Sequence, residues 1–139
     1  MIQAALLHDA DITLERLRAL FQQAAIRAEL DEDGDLAVYP GELKAFVHLN
    51  EANRQIRYVA YYGIDENAPR LDKLELLNRM NREYIFARFA LVDEEAISAD
   101  FYLPFEGGVS AELIVESLQL FSVAVPAAIA ACDEARLIQ

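Results

Sequence analysis

The sequence predicts an α+β domain, an antiparallel β-sheet flanked by three helices in the order α-β-β-β-(β)-α-β-β-α. Three observations carry that prediction. Apolar residues recur at helical spacing in three separate stretches, over residues 13–24, 71–84 and 110–135. Between these stretches the period falls to two, as in strands with one buried face. The breaks fall at Asp33-Gly34, Pro40-Gly41, Asn50–Asn53 and Gly107-Gly108, all of them turn-forming.

Residues 1–11 are expected to be a loose lead-in to this single domain or an extra half-turn. A helix should start at Thr13, capped by Asp11 or Thr13, with Glu15 where the helix dipole favours an acid. Leu17, Leu20, Phe21 and Ala24 form its i, i+3, i+4, i+7 stripe, which would cover a sheet. Ile26, Ala28 and Leu30 alternate with Arg27 and Glu29 as a half-buried strand, and Asp33-Gly34 suits a tight hairpin. Around Pro40-Gly41 the inward residues change from even (Leu36, Val38) to odd (Ala45, Val47, Leu49). One bulged strand or two separate strands would both explain that change. Ile56, Tyr58, Ala60 and Tyr62 then oppose Val59 and Tyr61, a strand apolar on both faces and therefore central.

Leu71, Leu74, Leu77 and Tyr84, widened by Leu76 and Met80, form the stripe of the middle helix. In the hairpin that follows, Ala87, Phe89 and Leu91 should share a face with Ile97, Ala99 and Phe101. A three-residue turn at Asp93-Glu94-Glu95 then sets Arg88 opposite Asp100. We read Arg88 and Asp100 as a cross-strand ion pair with a structural role; a partner-binding polar pair is the alternative. Asn78 and Asn81 are expected to bond backbone at the turn into this hairpin, recognition of a partner being the alternative.

Ser110 should cap the last helix, with Val109 and Ile114 as a hydrophobic staple and Pro126 as a kink near Ser122. From Ser117 to Cys132 the helix carries no charge, a run short for crossing a bilayer. Ile114, Leu118, Phe121, Val125 and Ile129 make one apolar stripe. Leu113, Leu120, Val123 and Ala127 populate adjacent faces, and leaving them in water would expose a large apolar patch. A symmetric homodimer with these four residues at or near its interface is therefore expected. A monomer whose first helix covers both sides is the alternative.

Composition restricts the function classes. With 24 acids against 12 bases in 139 residues the net charge is −12, which disfavours nucleic acid and anionic membranes as partners. The acidic runs Asp31–Asp35 and Asp93–Glu95 read as solvated hairpin tips. A single cysteine, Cys132, allows no internal disulfide, and the N-terminal apolar run lacks a basic segment and a cleavage site. A cytoplasmic protein is expected.

No constellation of catalytic or metal-binding residues stands out. Asp31, Asp33, Asp35 and Glu42 fall at calcium-loop positions 1, 3, 5 and 12, but Leu36 stands where that loop needs glycine and the flanks read as strands. His8 and His48 have no partner at metal-ligand spacing, and Cys132, in an apolar helix, should have a raised pKa. Gly107-Gly108 precedes a helix without a nearby Lys or Arg, so no phosphate loop is expected. No cofactor, metal or enzymatic activity is predicted.

The run LLNRMNREYIFARF, an acidic turn, a strand with Asp100 and Leu103-Pro104, and then EGGVS together resemble the YbjN family. Upstream, TLERLRALF and DEDGDL extend the resemblance to roughly residues 11 to 135. Family members are described as bacterial sensory transduction regulators, and their fold is similar to that of type III secretion chaperones. The resemblance therefore implies a secretion-chaperone-like fold and a signalling protein, such as a sensor histidine kinase, as client. The leading expectation is a non-enzymatic, dimeric, protein-binding module, chaperone-like or regulatory. The alternative is a small-ligand-binding regulator with a pocket between helices and sheet.

Overall fold

The computed structural model describes residues 6–139. In chain order it forms β1 (Leu6–Leu7), a 3-10 turn (Asp9–Asp11), α1 (Leu14–Gln23), β2 (Arg27–Leu30), β3 (Leu36–Tyr39), β4 (Ala45–Asn50) and β5 (Gln55–Gly63). There follow α2 (Arg70–Glu83), β6 (Arg88–Asp93), β7 (Ala96–Pro104), β8 (Val109–Ser110) and α3 (Ala111–Cys132). Six strands make one antiparallel sheet in the order β2-β3-β4-β5-β7-β6, and β1 pairs with β8 beside it. The architecture is the predicted α+β class, and β5 is central, between β4 and β7.

The period-two pattern of each strand becomes one continuous core face. Leu36 lies opposite Val47, Val47 opposite Tyr58 and Tyr58 opposite Phe101, so the inward residues of four strands stand in a row. All three helices pack on that face: Leu17 and Phe21 of α1, Leu76, Leu77 and Met80 of α2, and Ile114, Leu118, Phe121 and Val125 of α3 join its buried cluster. Pro40 to Lys44 form a turn between β3 and β4, with Gly41 at φ +75°, so the parity change marks two strands.

Tyr58 connects sheet and helix at the centre. Its ring packs against Phe21 and Phe121, and its hydroxyl donates to the Ile114 carbonyl at 2.8 Å and lies 3.1 Å from Ser117 Oγ. Burial drives the phenol's pKa well above its ordinary value, and it also raises that of Tyr62. A phenol whose folded pKa is raised contributes stability below the unfolded value, about 10, and loses it as the pH rises through and beyond that value. Tyr58→Phe is expected to cost about 1 kcal/mol near neutrality, through one buried hydrogen bond, and to flatten the alkaline loss of stability. Urea melts between neutrality and high pH measure both effects.

Several expectations are corrected. The lead-in is structured from residue 6: Leu7 is buried, Leu6 pairs with Ser110, and Gly107 N donates to Asp9 Oδ1 at 3.1 Å. Leu7 and Ile12 close the core where the chain enters α3. Residues 1–5 of that lead-in lie outside the described residues. In α2, Leu71 and Leu74 are exposed and Lys73 takes the inward position between them. The lysine can sit there because its ammonium donates to the Glu94 carbonyl (2.7 Å), the Glu94 carboxylate (3.2 Å) and the Glu66 carbonyl (3.3 Å). Glu94 also pairs with Arg70, and the bond from Lys73 holds its carboxyl below the usual range.

The β6–β7 turn is also shorter than predicted. Asp93 pairs with Ala96, leaving Glu94-Glu95 as the turn, and an extra residue at Val92 restores the expected register from Leu91 onward. Finally, α3 stops at Cys132, short of the expected Ala135. Asp133 accepts from Leu137 N and Ile138 N, each at 2.8 Å, and turns the chain so that Ile138 bridges to Ile64. The helix runs through Pro126 as one element.

Candidate functional site

The last helix is positioned by its N-terminus. Gly107 and Gly108 take φ of +83° and +108°, turning β7 into β8, and Ser110 Oγ accepts from Leu113 N at 3.0 Å. Val109 and Ile114, both buried, form the predicted staple. This fixes the helix rotation, and Tyr58 locks it by bonding to its first turns. Ile114, Leu118, Phe121 and Val125 are consequently fully buried and Ile129 half-buried.

The same rotation leaves Leu113 at 45% exposure, Leu120 at 51% and Val123 at 67%, with Ala127 exposed on the same side. The first helix does not cover both sides. Between α1 and α3 runs a groove lined by Leu20 and Ala24 on one side and by Ala111, Val115 and Gln119 on the other. By length and apolarity α3 falls within the range of membrane-crossing helices, yet its buried stripe is taken up by this sheet. The four residues singled out in the sequence thus form an apolar strip left uncovered by the described residues.

The predicted pair of Arg88 and Asp100 exists and is larger than predicted. Asp100 is opposite Arg88 in β6 and opposite Val59 in β5, and its side chain is 1% exposed. Arg88 donates through Nε to Oδ1 (2.9 Å) and through Nη2 to Oδ2 (2.8 Å). Arg57, from β5, donates through Nε (3.1 Å) and Nη2 (2.9 Å) to Oδ2. One carboxylate therefore receives four charge-assisted bonds from two forks, and both guanidiniums stand 5.7 Å from the Tyr102 ring centroid. Bonding to Asp100 raises the Arg88 pKa; for Arg57 partial burial opposes the charge, but Asp100 outweighs it and the net shift is upward.

Sequence reasoning missed Arg57, whose place diagonal to Asp100 depends on β5 lying next to β7. The available signal was its position facing away from Ile56 and Tyr58, on the same side as Val59 and Tyr61.

The remaining candidates have local roles. Asn81 accepts from Phe89 N (2.8 Å) and donates to Phe89 O (2.9 Å), which fixes the free edge of β6; Asn78 is exposed. Asp31, Asp33 and Asp35 bring carboxylate oxygens within 4.8 Å of one another. Asp31 Oδ1 already accepts from Asp33 N and Asp35 N, and Glu42 lies outside the group. Burial pushes the Cys132 thiol up, as does the nearby Glu83 carboxylate, to which it donates at 3.6 Å. His48 lies on β4 and His8 precedes the 3-10 turn, in separate regions of the fold.

Comparison with known proteins adds two findings. The model of the YbjN family, described as "Putative bacterial sensory transduction regulator", matches residues 13–134. The chain is also similar to the crystal structure of YbjN from E. coli, described as "a putative transcription regulator". That likeness has a TM-score of 0.79 at 15% identity and covers 97% of this chain and 99% of the other, which shows the fold. No curated protein matches the sequence.

Proposed function

The chain belongs to the YbjN family, and from that premise we propose that it is a non-enzymatic, protein-binding regulator that works as a homodimer in the cytoplasm. The observation that supports this reading best is the uncovered strip Leu113, Leu120, Val123 and Ala127 on a helix rigidly docked at its opposite face. An apolar strip on a fixed helix suits a two-fold contact between copies, in which each strip covers the other. The family description makes a signalling protein, such as a sensor histidine kinase, the client to test first. Neither a metal nor an organic cofactor, a nucleic acid or a membrane enters this reading.

The small-ligand alternative calls for an apolar cavity between helices and sheet. That space is occupied by Tyr58, Phe21, Phe121 and Met80, each fully buried, which favours the protein-binding reading. Light scattering at micromolar concentration is expected to give twice the 15.6 kDa chain mass. Leu120→Asp with Val123→Asp should return it to a folded monomer, because a desolvated carboxylate at such a contact is strongly unfavourable. A wild-type monomer at high concentration would refute the dimer.

A further inference from the structure

We propose that the helix-free face of the six-stranded sheet docks an extended, acidic segment of a partner protein, one that carries a large apolar side chain beside its carboxylates. This takes from the preceding reading only that the partner is a protein, and it concerns the face opposite the helices.

The register lays this face out in rows. Glu29, Ala37, Phe46, Val59, Asp100 and Arg88 stand side by side across all six strands. The adjacent rows place His48 beside Arg57 and Tyr102 on one side, and Tyr61 beside Ser98 and Ala90 on the other. Among the described residues no helix covers this face, yet Val59 is fully buried and Ser98 nearly so, beneath their larger neighbours. Tyr61 and Tyr102 remain 50% and 38% exposed.

Charge is segregated onto this face against the balance of the chain. Overall, acids outnumber bases two to one; here Arg27, Lys44, His48, Arg57 and Arg88 gather around the aromatic rings. Arg27 lies 4.4 Å from the Tyr39 ring centroid, and the Lys44 ammonium 5.2 Å from that of Phe46. The acids on the face are already satisfied: Glu29 by Arg27, Asp100 by two arginines, and Asp93, at the margin, by the backbone of its own turn. Lys44 has no ion pair among the described residues, and two arginines share one carboxylate, so cationic donors are left over for an incoming anion.

An apolar anchor site adjoins them. At the β6 edge, where the sheet meets the end of α2, a groove of about 440 Å³ is lined by Asn81, Tyr84, Phe86 and Phe101 on the helix side and by Arg88 and Tyr102 on the open face, so it runs round the edge from one face to the other. Ile85 is 96% exposed beside it, and the Phe86 and Phe101 rings stack at 4.5 Å along its wall. From Phe46 to Arg88 is three strand spacings, about 14 Å, which an extended chain crosses in about four to five residues. Carboxylates over Lys44 and Arg57 and an apolar side chain in the groove fit that span. A polynucleotide fits less well, because the local surplus of cations is small and the net charge of −12 repels a polyanion. A second copy docked face to face would oppose like charges.

The test is fluorescence anisotropy with a labelled peptide, Gly-Glu-Glu-Phe-Glu-Glu-Leu-Gly, its counterpart with Lys for Glu, and a labelled oligothymidylate. Saturable binding of the acidic peptide at low salt is expected, weakening as salt rises. Lys44→Glu combined with Tyr61→Ala should weaken it about tenfold or more. Both side chains are accessible, so this variant should remain folded, with only a modest loss of stability from the lost packing of Tyr61 on Phe46, while Leu71→Ala on the exposed side of α2 should leave peptide binding unchanged. Absence of saturable binding, equal binding of the lysine peptide, indifference to the double variant or preference for oligothymidylate would each overturn the proposal. None of these outcomes bears on the dimer, which light scattering reads separately.

Discussion

Replacing Arg57 and Arg88 together by alanine is expected to destabilise the fold by about 3–5 kcal/mol, the range for leaving a buried charge unpaired. Asp100 is the group left behind, 1% exposed and deprived of all four of its side-chain bonds. Either single change should cost much less. Arg88 is 65% exposed, so its loss is discounted by solvent screening to about 0.5–1 kcal/mol. Arg57 is 25% exposed, and about 1–2 kcal/mol is reasonable for its hydrogen bonds to a charged group. The double variant should exceed the sum of the singles, because each arginine compensates for the other. Adding Asp100→Asn to the double variant should recover a large part of the loss. Urea denaturation of the four variants measures this, and strict additivity would show that Asp100 finds water instead.

Phe121→Ala is expected to cost about 3–5 kcal/mol, whereas Leu120→Ala, one residue away, should change folding stability by less than about 0.5 kcal/mol. Phe121 is fully buried, with its ring 6.2 Å from Tyr58 in the layer that joins α3 to the sheet. Leu120 is 51% exposed and gives the core little. Its effect belongs to association: in the proposed dimer, Leu120→Ala should raise the dissociation constant while leaving the urea midpoint of the monomer unchanged. Denaturation at two protein concentrations separates these effects, since only a dimer contact makes the midpoint concentration-dependent. A large loss of monomer stability from Leu120→Ala would show that the strip belongs to the core.

The helix face of the sheet was legible because its signal is local. Alternation in Ile56–Tyr62 and Ile97–Leu103, the Asp33-Gly34 turn and the Ser110 cap each involve residues within one element or its margin. The pairing of Arg88 with Asp100 was legible for the same reason, since one hairpin sets it. Its prediction survived a wrong turn length only because the bulge at Val92 compensates the missing turn residue.

Lys73 illustrates what pattern alone cannot settle. Leucines outnumber it on α2, and a hydrophobic stripe therefore points through Leu71 and Leu74. The helix instead turns its lysine inward, because the carbonyl and carboxylate of Glu94, 21 residues on, converge there with the Glu66 carbonyl from the loop before the helix. Leu7 likewise looked like part of a tail until the glycine hinge brought Val109 alongside it.

By itself the sequence determined the three helices and the strands of the main sheet in their order, the inward sets of those strands and the two apolar sides of α3, but neither the β1–β8 pair nor the division into two strands at Pro40-Gly41. Periodicity, caps and turn residues act over a few positions, and that is the range in which they are decisive. The tertiary structure alone decided that Arg57 joins Arg88 on Asp100 and that basic and aromatic side chains collect on one sheet face of an acidic protein. Those neighbours come from strands separated by tens of residues, and only the strand order, with β7 inserted between β5 and β6, brings them together.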